Sequence, residues 1–308
     1  MRTSTAGCGR GVPRSSAALR AGREPSGPWG TGAGLTTWTS RLRGVAESTS
    51  QRGMERHEAR EHDAPDALLA AQIMRQHAMV ITPSGYAVGT DIFTPADIHA
   101  MQTGLTETIN RLARGFLTPY ATSCPEAPFA ERLERIVQQD RAYAVALIHG
   151  IFADAHHDPR IAALAEHPRL MAAVTRLVGP WQLTGQIIRV RVNIPSFPQT
   201  RSPWHQDATN PQSPIVMACW IPLVDATEAN GTLEVLPGVY EEPYPHQQTA
   251  DGKFYLAPEV LPDVPPRPLP CPAGDVLFLD RFLPHRTLPN QTAEVRWSLV
   301  MWLKGHPL

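Results

Sequence analysis

Residues 186-QIIRVRVNI-194 alternate between two kinds of side chain, with Arg189 and Arg191 on one parity and mostly branched apolar residues on the other. A period of two is typical of a β-strand. Four more runs of strand length follow, each bounded by turn residues: 215-IVMACWIPLV-224, 233-LEVLP-237, 276-VLFLD-280 and 295-VRWSLVMWL-303. Short strands at this spacing predict a mainly β C-terminal half, folded as a closed barrel or a jelly roll.

The face of the first strand that carries the two arginines has two interpretations. Arg189 and Arg191 could bind a substrate carboxylate inside the barrel, or they could form a solvated polar face. We favour the solvated face, because charged side chains are rarely buried without a partner.

The connections between these strands carry their own signals. Asn230–Gly231 separates 219-CWIPLVDAT-227 from 233-LEVL-236, and both residues tolerate the positive φ of a type I′ turn, which predicts a β-hairpin. Residues 258–272 hold seven prolines. Proline cannot donate to a strand ladder, so this stretch is expected to be a stiff external loop and not a strand.

The half of the chain before residue 180 has mainly helical signals. Thr94 followed by Pro95 predicts a helix start, since proline lacks an N–H that would be unpaired there anyway. Helical patterns also cover 67–80 and 158–179, and residues 142–153 indicate a buried helix rather than a membrane span, because the apolar run is too short. A strand or two around a Pro-Ser-Gly turn is expected within 79–88.

The first 53 residues differ in composition from the rest. They carry eight Arg and two Glu, a net charge of +6, whereas the other 255 residues carry 20 basic and 27 acidic residues, a net charge of −7. We expect a disordered extension over 1–60 and a single domain over 61–308, helical over 61–180 and a jelly roll over 181–304. The Arg- and Ser-rich start superficially matches an organellar transit peptide, but a tail, or codons upstream of a start at Met54, is the favoured interpretation.

Charge and cysteine content exclude several classes of function. The formal net charge is −1, so the chain lacks the excess of Lys and Arg that binding to nucleic acid or an anionic membrane requires. Cys8, Cys124, Cys219 and Cys271 lie far apart with no CxxC pair, which fits reduced thiols in a cytoplasmic protein.

Two separate clusters of polar residues carry the chemistry. In 204-WHQDATN-210, His205 and Asp207 project to the same face of an extended segment. Downstream, a hairpin centred between Asn290 and Gln291 would place His285 opposite Arg296, with Thr287 on the same face.

Singly, His285 is expected to be a core histidine and Arg296 a surface charge. Jointly, His205, Asp207 and His285 provide the two imidazoles and one carboxylate that leave positions open on Fe(II), and Arg296 suits an anionic ligand beside the metal.

The chain resembles the phytanoyl-CoA dioxygenase family of iron- and 2-oxoglutarate-dependent oxygenases. The resemblance covers roughly residues 70–304 and rests on five blocks in family order: 204-WHQD-207, 230-NGTLEVLPG-238, 273-AGDVLFLD-280, 284-PHRTLPN-290 and 295-VRWS-298. It implies a double-stranded β-helix core, a jelly roll of the cupin type, with helices packed outside.

The resemblance also implies the ligands and their residues. Iron is expected at His205, Asp207 and His285, and the distal carboxylate of 2-oxoglutarate on Arg296 and Thr287. Trp220 matches a tryptophan that lines the cosubstrate pocket, and Gln186 lies near a polar position on the strand before the first histidine. Dioxygen is the other cosubstrate.

The expected activity is hydroxylation of an unactivated C–H bond of a small organic substrate, with release of succinate and CO2. Halogenation is not expected, since related halogenating enzymes have Gly or Ala where this chain has Asp207. A CoA ester is not favoured either, because no basic cluster would bind its phosphates. The loop after the expected hairpin, Pro237-Gly238-Val239-Tyr240, departs from the family's Pro-Gly-Ser-His.

Two other functions remain open. The chain could be a non-enzymatic jelly-roll binding module with a vestigial metal site, although all four site residues suit the enzyme. It could also be a cupin-like zinc or manganese enzyme, which would not need Arg296. The substrate itself is not encoded in any pattern that we can interpret.

Overall fold

The computed structural model describes residues 82–179, 181–250 and 252–308. The helix expected over 67–80 and the extension expected over 1–60 lie outside the described residues. The described residues form ten strands: β1 (Tyr86–Gly89), β2 (Trp181–Asn193), β3 (Ile215–Pro222), β4 (Leu233–Val235), β5 (His246–Gln248), β6 (Phe254–Leu256), β7 (Arg267–Leu269), β8 (Val276–Asp280), β9 (His285–Thr287) and β10 (Arg296–Pro307).

The strands form two main antiparallel sheets. The larger has the order β1-β8-β3-β10-β2, and the smaller has the order β7-β4-β9, while β5 and β6 form a separate ribbon. One apolar cluster joins the two main sheets, with Trp220 and Leu279 from the larger sheet and Leu233 and Leu269 from the smaller. This is the expected jelly roll, with an interior between the two sheets.

Within the described part of the chain, five α-helices precede β2: α1 (Pro95–Gly115), α2 (Phe129–Gln139), α3 (Arg141–Asp154), α4 (Pro159–Ala162) and α5 (Pro168–Val178). Their buried side chains, such as Leu105, Leu147 and Leu170, form one cluster with Ile188 and Val190 of β2. The helices therefore cover the outer face of the larger sheet. None of the described helices has the length and hydropathy that a membrane span requires.

The predicted start of α1 is confirmed in detail. The Thr94 side chain accepts a hydrogen bond from the backbone N–H of Asp97 at 3.2 Å, and the Asp97 carboxylate accepts one from the backbone N–H of Thr94 at 2.8 Å. This reciprocal capping box satisfies two backbone donors that the first turn of a helix leaves unpaired.

The helical pattern over 158–179 is interrupted. After α4, residues Ala163–Glu166 form a 3-10 helix, and α5 begins only at Pro168. His167 has an extended backbone, with φ −62° and ψ 120°. The ring of a proline disfavours helical geometry in the residue before it, so Pro168 ends one helix and begins the next.

Two expectations about connections were wrong. The strands on either side of Asn230–Gly231, β3 and β4, lie in different sheets, so this turn is a corner and not a hairpin. In the proline-rich stretch, β7 is a strand that pairs with β4, with Pro268 opposite Glu234. It lies at the edge of its sheet, where a missing N–H donor is tolerated.

The hairpin register expected around Asn290–Gln291 is also wrong. His285 belongs to β9, which pairs with β4 and places His285 opposite Val235. Arg296 begins β10, where it lies opposite Asn193 of β2. The two residues thus approach each other across the interior, from opposite sheets, and not along one hairpin.

Three of the four cysteines lie in the described residues, and Cys124, Cys219 and Cys271 are all free thiols.

Candidate active site

Two backbone hydrogen bonds hold the segment of His205 beside the start of β9. The N–H of His205 donates to the carbonyl of His285 at 3.0 Å, and the N–H of His285 donates to the carbonyl of His205 at 2.9 Å. The two imidazole rings consequently face each other, with centroids 4.2 Å apart. Residues 80 positions apart are thus fixed as direct neighbours by the main chain.

A second pair of hydrogen bonds orients the two rings. Nδ1 of His205 lies 2.8 Å from the carbonyl of Pro203, and Nδ1 of His285 lies 2.9 Å from the carbonyl of Leu283. A carbonyl oxygen only accepts, so Nδ1 carries the proton in both rings and the lone pair is on Nε2. Metal-binding histidines are commonly fixed by such a contact on the other nitrogen.

The state of His205 suits metal binding as well. Burial, and secondarily the neighbouring His285, hold the pKa of His205 well below its ordinary value. The imidazole is therefore neutral at physiological pH, the form that can donate a lone pair.

Asp207 completes a group of three potential ligands. One ligand atom from each of His205, Asp207 and His285 lies within 4.8 Å of the others, and Oδ2 of Asp207 is 3.9 Å from Nε2 of His285. Oδ2 is buried and has no hydrogen-bond partner among the described residues. A buried carboxylate oxygen without a donor is costly unless a cation binds it, so the donor set fits a divalent metal ion.

Arg296 lies in the same interior with an uncompensated charge. It is 2% exposed, and it donates hydrogen bonds to the carbonyl of Gly231 at 3.2 Å and to Oγ of Ser298 at 2.7 Å. Burial lowers its pKa to about 9, so the guanidinium stays a cation at neutral pH. No carboxylate among the described residues forms an ion pair with it, which suits an anionic ligand.

The other predicted site residues divide into two groups. Thr287 and Trp220 line the same cavity as the three potential metal ligands and Arg296. The Arg296 guanidinium lies 5.2 Å from the centre of the Trp220 ring, which fixes its plane.

The structure corrects the expectation that Gln186 belongs to the cosubstrate site, because this residue is exposed and does not line the cavity. It has the same strand parity as Ile188, Val190 and Val192, and this parity faces the helices.

The opposite parity of β2 contains a residue that the sequence interpretation placed elsewhere. Arg191 lines the cavity beside His205 and Asp207, and is not part of a solvated face. The signal was present in the alternation itself, because the apolar parity had to pack against the helices and left the arginine parity for the barrel interior.

A larger surface groove of about 860 Å³ lies outside the barrel, along α1 and α3. Several of its charged side chains form ion pairs, as Arg111 does with Asp154, and Asp158 with the nearby Arg160. Among the described residues, the group of three potential metal ligands lies in the barrel and not in this groove. The barrel cavity is therefore the candidate active site.

Comparisons with known proteins give one family match and several similar structures. The sequence profile of the family described as phytanoyl-CoA dioxygenase matches residues 82–298, a range that includes His205, Asp207, His285 and Arg296. Comparison with curated protein sequences gives no significant match.

Several solved structures are similar to this chain. The non-heme monooxygenase ThoJ is 17% identical, with 77% of this chain and 79% of that chain covered and a TM-score of 0.48. The non-heme alpha ketoglutarate dependent carbocyclase SnoK from nogalamycin biosynthesis is 17% identical, with 77% and 83% covered and a TM-score of 0.47. AviO1 from Streptomyces viridochromogenes Tue57 is 24% identical, with 76% and 94% covered and a TM-score of 0.41.

Proposed function

The chain belongs to the phytanoyl-CoA dioxygenase family, and from this premise we propose that it is an Fe(II)- and 2-oxoglutarate-dependent dioxygenase that hydroxylates an unactivated C–H bond of a small organic substrate. In the balanced reaction, substrate, 2-oxoglutarate and O2 give hydroxylated substrate, succinate and CO2. When bound, the iron supplies the oxygen activation that protein side chains cannot provide.

The observation that carries the proposal is the pairing of two unsatisfied groups in one cavity. Asp207 presents a buried carboxylate oxygen with no donor among the described residues, and Arg296 presents a buried cation with no carboxylate partner there. A metal ion satisfies the first, and a dicarboxylate that also reaches the metal satisfies the second. 2-Oxoglutarate has the two carboxylates that this arrangement requires.

The chain's own residues bind and orient the reactants. His205 and His285 would hold the metal through Nε2, each positioned by its Nδ1 hydrogen bond, and Asp207 would hold it through a carboxylate oxygen. Arg296 binds the distal carboxylate of 2-oxoglutarate, Thr287 donates its hydroxyl to the same carboxylate, and Trp220 lies against it. Enclosure between the two sheets excludes water.

Asp207 also favours hydroxylation over halogenation. A carboxylate at this position occupies a coordination site that a halide would otherwise need.

Turnover of 2-oxoglutarate tests the proposal. Fe(II)-loaded protein is expected to form succinate from 2-oxoglutarate in air and not under argon, even before the substrate is known, as a slow uncoupled reaction. The His205→Ala variant is expected to lose this activity. Equal succinate formation by the wild-type protein and the variant would contradict the assignment.

The same experiment separates the two alternatives. Tight binding of Fe(II) and 2-oxoglutarate without any succinate would favour a binding module. An activity that is unchanged in Arg296→Ala would favour a cupin-like zinc or manganese enzyme.

A further inference from the structure

Arg191 is a second cation in the same cavity. It lies on β2 directly opposite Ser298 of β10. Asn193 and Arg296 form the pair two residues away along the same two strands. The side chain lines the cavity together with His205 and Asp207. Two arginines from neighbouring strands thus face one interior.

The partners of Arg191 within the described residues do not balance its charge. Nη1 donates to the carbonyl of the preceding Val190 at 3.1 Å, and the guanidinium lies 5.2 Å from the centre of the Trp302 ring. Burial lowers the pKa of Arg191, with Arg189 as a minor cause in the same direction and Asp207 opposing. Asp207 is therefore the acid that faces it, and the proposed function already assigns that carboxylate to the metal.

Trp302 adds an independent observation at the same place. It lines the cavity beside Arg191, and its indole Nε1 is buried with no acceptor among the described residues. Trp297 Nε1 is also without an acceptor, but Trp297 does not line the cavity. The indole N–H of Trp302 and the guanidinium of Arg191 are thus two hydrogen-bond donors on one wall of the cavity, and a ligand could provide the acceptor for both.

The charges of the proposed ternary complex lead to the same conclusion. This step rests on the proposed function. The two positive charges of Fe(II) and the one of Arg296 balance the one negative charge of Asp207 and the two of 2-oxoglutarate. Arg191 then remains as an uncompensated cation on the wall of the cavity, where it is partly buried and an unpaired charge is unfavourable.

We infer that the substrate carries a carboxylate, which binds between the Arg191 guanidinium and the Trp302 indole N–H. The carboxylate accepts from both donors, and the remainder of the substrate extends toward the metal. The enzyme therefore discriminates against neutral and cationic analogues of its substrate, because these leave Arg191 without a counter-ion.

Another carboxylate could reach Arg191, namely the one that 2-oxoglutarate itself presents at the metal end. The experiment must therefore separate binding of 2-oxoglutarate from binding of a further carboxylate. Ni(II) replaces Fe(II), because it binds nitrogen and oxygen ligands similarly and supports no turnover in this assay.

The test uses the full chain loaded with Ni(II) and 2-oxoglutarate, and thermal unfolding as the readout. The probes are straight-chain monocarboxylates from acetate to octanoate, with benzoate, each compared with its primary amide. The amide keeps the carbon skeleton and removes the negative charge. Ligand binding to the native state raises the unfolding temperature, and at a fixed ligand concentration the rise grows with the logarithm of the affinity.

Three variants accompany the wild-type protein. Arg191→Gln removes the cation, and Trp302→Phe removes the N–H donor but keeps an aromatic ring. Arg189→Gln is the matched control, since Arg189 precedes by two residues on the same strand but does not line the cavity.

At least one acid is expected to raise the unfolding temperature of the wild-type complex while its amide does not. Arg191→Gln is expected to weaken binding of that acid about tenfold or more, Trp302→Phe by a smaller factor, and Arg189→Gln not at all. The stabilisation by 2-oxoglutarate itself is expected to persist in Arg191→Gln.

Two results would overturn the inference alone. Acids and amides could act equally across the series, or Arg191→Gln could abolish stabilisation by 2-oxoglutarate, which would assign Arg191 to the cosubstrate. If Ni(II) and 2-oxoglutarate do not stabilise the wild-type protein at all, the proposed function fails, and this inference fails with it.

Discussion

Arg296 donates its Nε–H to the carbonyl of Gly231 at 3.2 Å, so the first residue of β10 is held by the turn that leads into β4. This contact joins the two sheets at the closed end of the cavity. The side chain of Asn193 and the carbonyl of Leu288 approach the same turn closely, which explains why residue 231 has no side chain.

Gly231 has a φ of +85°, and a Cβ added there would lie 2.0 Å from Nδ2 of Asn193 and 2.4 Å from the carbonyl oxygen of Leu288. We expect Gly231→Ala to destabilise the protein by about 3 kcal/mol or more, since both backbone strain and a steric clash result. Chemical denaturation of the purified variant measures this change.

Gly252 provides the matched control, because its φ is +83° but, among the described residues, an added Cβ would meet only Nε2 of Gln248, at 3.9 Å. Gly252→Ala should cost about 1–2 kcal/mol, from backbone strain alone. Equal losses in the two alanine variants would show that the close approach at Gly231 has no energetic consequence.

Substitution of Arg296 should weaken the binding of 2-oxoglutarate and leave the binding of the metal unchanged. We expect Arg296→Gln to weaken binding of 2-oxoglutarate to the Ni(II)-loaded protein at least about thirtyfold, because a desolvated charge pair is lost. Arg296→Lys keeps the charge but not the planar fork of the guanidinium. Its affinity for 2-oxoglutarate should therefore lie between those of the wild-type protein and Arg296→Gln. Isothermal titration measures both affinities, and unchanged 2-oxoglutarate binding in Arg296→Gln would exclude this residue as the anchor.

Ser298 is expected to act on 2-oxoglutarate through Arg296. Its Oγ accepts from Nη1 of Arg296 at 2.7 Å, and Ser298 is fully buried. Ser298→Ala should weaken 2-oxoglutarate binding about two- to tenfold, the usual range for one hydrogen bond. Since the alanine fits the space, Ni(II) binding should not change; a loss of both ligands would indicate a general structural defect instead.

The capping box of α1 predicts a stability effect separate from the site. Thr94→Ala removes the side-chain acceptor for the Asp97 N–H, and should lower the free energy of unfolding by about 1 kcal/mol. Binding of Ni(II) and 2-oxoglutarate should remain as in the wild-type protein. A stability equal to that of the wild type would mean that the cap has no net effect.

Asp280 should make stability depend on pH. Burial raises its pKa from 3.8 to about 7, against the opposing hydrogen bond from the backbone N–H of Phe282 at 2.7 Å. The folded state thus holds the proton more tightly than the unfolded state. The stability that this provides is fully present below about pH 4 and is lost as the pH rises through about 7.

Asp280→Asn has no such proton and keeps an acceptor for Phe282. We therefore compare the unfolding temperature of the variant minus that of the wild type at two pH values. This difference is expected to be more positive at about pH 8 than at about pH 5. A difference that does not vary with pH would contradict the raised pKa.

The sequence predicted which residues come together at the site better than it predicted the strand pairing that brings them together. Parity explains this: His285 and Thr287 share one face of β9, and Arg296 faces inward from β10, whichever strands pair. The register was wrong because the turn residues at 289–292 are compatible with either a hairpin or a crossing between sheets. Only the burial of both strands, a property of the whole fold, decides between these alternatives.

Arg191 was misplaced for a related reason. A local rule on buried charges favours solvent, and it holds unless the interior contains a ligand of opposite charge. Sequence alone does not show that ligand, whereas the structure shows the cavity, Asp207 and the unsatisfied indole of Trp302.

The metal content of the purified protein tests the central claim most directly. After equilibration with Ni(II) and removal of free ions, we expect one ion per wild-type chain. We expect far less in His205→Ala, Asp207→Ala and His285→Ala, and one ion in the folded control Asp280→Asn. Retention of one ion per chain by all three alanine variants would show that His205, Asp207 and His285 do not form a metal site.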